Sequence, residues 1–181
     1  MQSNDAKLFK QLKAGERTAF ETIVQAHYGS VWRQHYLLCG DADLAADLTQ
    51  ETFLQAWRSI GSFRGQSTLR TWLYTIGARV WQRKGRPLIC RATMPLPKTL
   101  HTDEPEPESL ALQHIQWDAI TVALQSLPDD MRLALILFYR QELSHSEISE
   151  ALGVPIGTVK SRIYEGVRRL RRLLNQPEDA Q

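Results

Sequence analysis

The sequence predicts an all-α protein made of two small helical domains joined by a flexible linker. Three observations carry this. Apolar residues recur at spacings of three and four along most of the chain, the period of a helix with one buried face. No stretch of any length alternates apolar and polar residues as a strand does. Gly85, Pro87, Pro95, Pro97, Pro105 and Pro107 break every regular pattern between the two helical halves. The chain has 181 residues, 43% of them hydrophobic, enough for one ordinary domain or two small ones. The expected division is a first domain over 1–86, a linker over 87–109, a second domain over 110–175 and a tail over 176–181.

From Asp5 to about Leu38 the chain reads helical: Leu8 and Leu12 begin a stripe, Gly15 interrupts it, and Phe20, Ile23, Val24, His27 and Val31 resume it. Gly40-Asp41 is a turn. Asp43 to Ile60 is strongly amphipathic, with Ala45, Leu48, Thr52, Phe53, Ala56 and Ile60 on one face and Asp47, Gln50, Glu51 and Arg58 on the other. Leu54 stands among those polar residues, either an ordinary exposed leucine or a partner contact. Gly61 to Ser67 is a loop, and Phe63 within it has the option of folding back onto the core. The next helix opens near Ser67 or Thr68 and buries Leu69, Trp72, Leu73, Ile76 and Val80.

Arg70, Tyr74 and Trp81 fall together on a second sector of that helix. Exposed rings beside arginines would form a platform for unpaired bases, since rings stack on bases and guanidinium groups hold phosphates. The alternative is that Tyr74 and Trp81 pack beneath a neighbouring helix.

In the second domain Ile120, Ala123, Leu124 and Leu127 share one side of a helix. Pro128-Asp129-Asp130 restarts another, proline at its first turn and the acids at the positive end of its dipole. Met131 to Tyr139 is largely apolar. Ser144 and Glu147 have capping-box spacing, and Gly153 is placed to end the short helix they begin. Pro155 opens a longer one, with Val159, Ile163, Val167, Leu170 and Leu174 in one stripe. Thr158, Lys160, Ser161, Arg162, Arg168, Arg169 and Arg172 occupy the opposite surface. A short capped helix, a glycine turn and a longer basic helix form the helix-turn-helix pattern, the second helix sized for a major groove.

The net charge is only +2, but its distribution is uneven. Arg58, Arg64, Arg70, Arg79, Arg83, Lys84, Arg86 and Arg91 follow one another with no acid among them, then Asp103, Glu104, Glu106 and Glu108 form an acidic run. Two basic regions flanking an acidic spacer suggest two contacts with a polyanion. Enzymatic chemistry is not expected. There is no glycine-rich phosphate loop, no GxSxG elbow and no HExxH. His27, His35, His101, His114 and His145 lack acidic partners at motif spacing, so no metal, cofactor or small-molecule substrate is indicated. Cys39 and Cys90 are in no CxxC pattern. The N-terminus does not read as a signal peptide, and no apolar run approaches the ~18 residues of a membrane span, so a cytoplasmic protein is expected.

DLTQETFLQAW at Asp47–Trp57, SFRGQSTLRTWLYTI at Ser62–Ile76, Leu127–Pro128 and LSHSEISEALGVPIGTVKSRI at Leu143–Ile163 together resemble the extracytoplasmic-function (group 4) sigma factors of bacterial RNA polymerase. The resemblance covers nearly the whole chain. It implies a region 2 domain that binds the β′ clamp helices and melts the −10 element, and a region 4 domain that binds the β flap and reads the −35 element. It implies polymerase contacts at Asp47, Gln50 and Glu51, to which Leu54 is added. The −10 contacts would be Phe63, Arg64, Gln66, Ser67, Thr68, Arg70, Tyr74, Arg79 and Trp81. The −35 contacts would be Pro155, Thr158, Lys160, Ser161, Arg162, Tyr164 and Arg168. An anti-sigma factor, often membrane-attached, is the further partner implied.

The chain departs from the family pattern in several places. Gly77 stands where the family has Ala and Arg79 where it often has Asn. Glu165 stands at a commonly basic position, where a carboxylate should weaken phosphate contact. Gly166 should soften the recognition helix, at about 1 kcal/mol relative to Ala. The competing reading is a stand-alone helix-turn-helix transcriptional regulator. It requires a ligand-binding or dimerisation domain in the N-terminal half and leaves the acid-free basic stretch unexplained.

Overall fold

A computed structural model describes Leu12 and residues 16–63, 65, 67–91 and 120–174. Among them every regular element is helical: α1 (Arg17–Cys39), α2 (Ala42–Ser59), α3 (Leu69–Val80), α4 (Arg86–Arg91), a helical stretch over 120–125, α5 (Asp129–Leu135), α6 (His145–Leu152) and α7 (Ile156–Leu174). The expected helix before Gly15, the acidic run and the tail lie outside the described residues, apart from Leu12.

The first domain is a bundle of α1, α2 and α3. Gly40 ends α1 in the left-handed region at φ 71°, its N–H donating to Tyr36 O at 2.7 Å. Asp41 then caps α2, its carboxylate accepting from the Leu44 N–H at 2.8 Å. Every member of the expected apolar face of α2 is buried. Thr68 caps α3 by accepting from the Thr71 N–H at 3.1 Å.

Two buried polar side chains of α1 sit inside this bundle. The Thr52 hydroxyl donates to Leu48 O at 2.7 Å, so it accepts from His35 Nε2–H at 2.9 Å. The Gln34 amide donates to Tyr74 O at 3.4 Å. A methyl at Gly77 would lie 3.1 Å from Gln34 Nε2, so the departure from Ala at 77 makes room for that amide.

The chain stays helical into the segment expected as linker, as far as Arg91. After α3 the chain makes a π-helical turn, Trp81–Gly85, and continues as α4 to Arg91. Pro87 lacks the N–H that a regular helix pairs with the carbonyl four residues back, and its ring clashes there. The π turn solves this one residue earlier: the Arg86 N–H reaches Trp81 O, re-phasing the ladder before the proline arrives. Gly85 lets the Trp81 ring pack directly against the turn. A Cβ at that position would lie 2.2 Å from Trp81 Cε3 and 3.0 Å from Leu48 Cδ1.

The second domain packs α5 and α6 against α7. Leu133 to Leu137 are buried, and a π-helical turn, Ile136–Arg140, leads to Glu142, a non-glycine residue held at φ 57°. The capping box is present in full: Ser144 Oγ accepts from the Glu147 N–H at 3.2 Å, and Glu147 Oε2 accepts from the Ser144 N–H at 2.8 Å. Gly153 stops α6 at φ 67°. Gly166 is a close-packing residue rather than a soft spot. A methyl there would meet Leu135 Cδ1 at 2.9 Å, so its absence lets α7 approach α5.

The two domains touch. Contacts run from α3 to α6 and from α1 to α5, and one cluster of buried side chains spans both halves.

Candidate polymerase and promoter interface

The polar face of α2 is where the sequence placed it. Asp47, Gln50 and Leu54 are exposed, Leu54 by 50%. Glu51 is half-buried: its carboxylate receives Lys84 Nζ at 2.8 Å and the Gln55 amide at 2.9 Å. The Lys84 contact first and the Gln55 contact second hold the Glu51 carboxyl below the usual carboxylate range.

Leu54 is not isolated. With Phe20, Val24, Tyr28, Phe53 and Trp57 it lines an open apolar groove of about 560 Å³ along α1 and α2, edged by Gln50, Arg17 and Glu21. Tyr28 and Trp57 are each 40% exposed. Sequence reasoning missed this groove because its two walls come from different helices. The available signal was the exposed-side position of Trp57 and Tyr28 on their own stripes.

The expected strand-binding platform is only partly assembled. Arg70 and Arg79 are exposed, Thr68 is exposed and Ser67 half-exposed. Arg64 and Gln66 lie outside the described residues. Phe63 is buried and meets Trp72 edge to face, centroids 5.1 Å apart, so the loop ring folds back onto the core. Tyr74 and Trp81 are also buried, 2% and 1% exposed, and neither offers a free face to a base. Helix α3 is covered on more than one side, by α1 and α2 and again by α6. A sector that looks exposed on a helical wheel is therefore a second buried face. Arg70 still stands over the Tyr74 ring, 5.6 Å from its centroid.

Helix α7 buries Val159 and Ile163 and turns Pro155, Lys160, Ser161, Tyr164 and Arg168 outward, Tyr164 by 72%; Thr158 is half-exposed. Arg162 departs from the expected surface. It is half-buried and donates to Asp130 at 2.9 Å, tying α7 to the start of α5. Glu165 receives Arg168 at 2.8 Å and Arg169 at 3.1 Å, and these hydrogen bonds hold its carboxyl below the ordinary range. Its charge is thus matched by its own helix rather than facing an incoming phosphate bare. Tyr139, 63% exposed, and His145 line an open cavity against that same exposed face of α7, with Lys160, Tyr164, Arg168 and Arg171. Neither Tyr139, His145 nor Arg171 stood out in the sequence, because the first two precede the helix they flank.

No cluster of three or more metal-ligating side chains occurs among the described residues, and no helix among them is long and apolar enough to cross a membrane. Burial pushes the Cys39 thiol up to about 11, so it is unreactive at neutral pH.

A three-helix domain with an open apolar groove beside a polar helix face, followed by a domain with an exposed basic helix, defines a two-domain helical protein of the helix-turn-helix class. The family model for Sigma-70 region 2 matches residues 23–86, and that for Sigma-70, region 4 matches residues 117–170. The chain is 32% identical to the ECF RNA polymerase sigma factor SigW of Bacillus subtilis, over 93% of this chain and 95% of that one. It is 30% identical to the ECF RNA polymerase sigma-E factor of Escherichia coli, over 90% of each. The sigma factor RpoE of Bartonella quintana, solved in complex with the anti-sigma factor NepR, superposes with a TM-score of 0.66 at 25% identity, over 89% of this chain and 98% of that one. CnrH, solved with the cytosolic domain of CnrY, shares the fold with a TM-score of 0.70 at 21% identity, over 97% and 99%.

The chain therefore belongs to the ECF sigma factors of the sigma-70 family. It is an alternative sigma factor, one of a class of non-catalytic transcription initiation factors.

Proposed function

We propose that the exposed face of α2, with Asp47, Gln50, Glu51 and Leu54, binds the β′ clamp helices of core RNA polymerase. In this reading α3 and the loop before it, through Arg64, Gln66, Ser67, Thr68, Arg70 and Arg79, hold the opened −10 strand. Helix α7 reads the −35 element through Pro155, Thr158, Lys160, Ser161, Tyr164 and Arg168, and region 4 binds the β flap. The protein acts in the cytoplasm and is restrained by a membrane-associated anti-sigma factor. The solved complex of RpoE with the anti-sigma factor NepR supports such a partner.

The observation that carries the reading is α7. Val159 and Ile163 of its apolar stripe are buried while Lys160, Ser161 and Tyr164 stay exposed on one face, the disposition a major-groove helix needs. No catalytic step is required. Opening DNA costs about 1.4 kcal/mol per base-pair step. Phosphate contacts from arginines orient the strand, and bases held by the protein offset part of that cost.

Run-off transcription with core polymerase, with and without the protein, tests this. We expect promoter-specific initiation only with the protein, and its loss when Asp47, Gln50 and Glu51 are all changed to Ala. Initiation that survives the triple change removes the α2 face from the reading. Specific promoter binding by the free protein together with no effect on core polymerase favours the stand-alone regulator instead.

A further inference from the structure

The two carboxylates on the exposed face of α2 are not held alike. Among the described residues nothing pairs with the Asp47 side chain, which is exposed. One turn further on, both oxygens of Glu51 are engaged. Lys84 Nζ donates to Oε2 at 2.8 Å, and the Gln55 amide donates to Oε1 at 2.9 Å. Gln55 belongs to the next turn of the same helix. Lys84 comes from the π turn that follows α3.

The close approach of that turn to α2 is what brings the lysine there. Gly85, its neighbour, has no side chain, and a Cβ at that position would stand 3.0 Å from Leu48 Cδ1. Leu48 precedes Glu51 by one turn of α2. The backbone beside Lys84 therefore runs against the helix within reach of the next turn. In the sequence Lys84 belongs to a basic run that suggests a polyanion. In the fold its ammonium is committed to a carboxylate of its own domain.

This commitment changes what the α2 face can offer a partner. Asp47 and Glu51 are four residues apart on one helix, a spacing at which like charges repel. The Lys84 ammonium offsets that repulsion. It also fixes the Glu51 side chain before docking, so the rotamer freedom normally given up on binding is already spent. The fixed carboxylate remains a working acceptor. Each oxygen keeps a second lone pair that neither Lys84 nor Gln55 uses, open to an N–H donor from outside.

We infer that Lys84 is a positioning residue for polymerase binding: it holds the Glu51 carboxylate ready to accept a guanidinium or amide N–H from the docked helix, and it acts through Glu51 alone. The inference rests on the assignment of the α2 face to core polymerase.

The test uses the full chain, labelled and titrated with core polymerase in the absence of DNA, with fluorescence anisotropy reading affinity. Lys84→Met keeps the stem and removes the charge. It is expected to weaken core binding about fivefold, the upper end of what an exposed ion pair is worth. Lys84→Arg should restore most of the loss. In a Glu51→Ala background the Lys84→Met change should have no further effect, because the group it positions is gone. The Lys84 ammonium is 53% exposed, so thermal melts of the single variant should match wild type.

The pH profile gives a second readout. Lys84 is the first cause of the lowered Glu51 pKa, so in Lys84→Met the carboxyl takes up its proton at higher pH. Core affinity of that variant should begin to fall at a higher pH than wild type as the solution is acidified. An equal loss from Lys84→Met with and without Glu51 overturns the inference, as does tighter core binding by Lys84→Met. The α2 reading fails separately, and takes the inference with it, if Asp47→Ala and Glu51→Ala each bind core as tightly as wild type.

Discussion

His35 shows how much a single buried residue can set. It is 0% exposed, its Nε2–H donates to Thr52, and its Nδ1 has no hydrogen-bond partner among the described residues. Burial pushes its pKa down from 6.5 to about 3, so the imidazole is neutral in the fold. Between those values the unfolded chain binds a proton that the folded chain does not. Stability from this site is therefore full above pH 6.5 and is lost as pH falls through that value. At pH 5 the loss is about 2 kcal/mol relative to pH 7. Urea unfolding at the two pH values should show this loss, and His35→Gln, which keeps a donor towards Thr52, should flatten it. The sequence offered no sign of this role. His35 lacked a partner at motif spacing, and the partner it has, Thr52, comes from the next helix.

At the scale of the element, the π turn after α3 is the segment where composition misled. Gly85 and Pro87 look like the start of a linker, yet the turn holds Gly85 and α4 holds Pro87. Gly85→Ala should cost about 1–3 kcal/mol, because the new methyl must displace the Trp81 ring. A thermal melt checks this; an unchanged melting temperature would mean Trp81 moves freely. Helix α7 makes the opposite case. Its start after Pro155 and the first part of its stripe were readable because they depend on near neighbours; Val159 and Ile163 are buried as expected, whereas Val167 and Leu170 are half-buried and Leu174 is exposed, because the helix end runs past the elements it packs on. In −35 duplex binding, Lys160→Ala should weaken affinity uniformly across sequences. It should also reduce the slope of log affinity against log salt by about 1. A changed sequence preference would instead place Lys160 on a base edge. Arg162, on the same helix, is tied to Asp130, and its change to Ala belongs with stability rather than with recognition.

For the whole molecule, Arg132 is the decisive side chain. It binds Asp129, Gln125 and the Leu127 carbonyl within region 4, and the Leu38 carbonyl of region 2. Burial lowers its pKa most, Asp129 opposes this, and the group stays charged. Arg132→Met should destabilise the chain by about 3 kcal/mol, since Asp129 and several carbonyls lose their partner. It should also loosen the contact between the domains, visible as expansion in scattering at temperatures where circular dichroism is still native. A loss of helicity without expansion would confine Arg132 to the fold of region 4.

The sequence alone determined the helical class, the capped helix-turn-helix, the buried face of α2, the buried Val159 and Ile163 of α7 and the exposed Asp47, Gln50 and Leu54. All of these follow from spacing within one helix and from caps a few residues away. The burial of Tyr74 and Trp81, the apolar groove walled by two helices, the release of α7 onto α5 by Gly166 and the pairing of Lys84 with Glu51 were decided only by tertiary structure. Each depends on a surface contributed from elsewhere in the chain, and a helical period records which residues share a face but not how many faces the fold will cover.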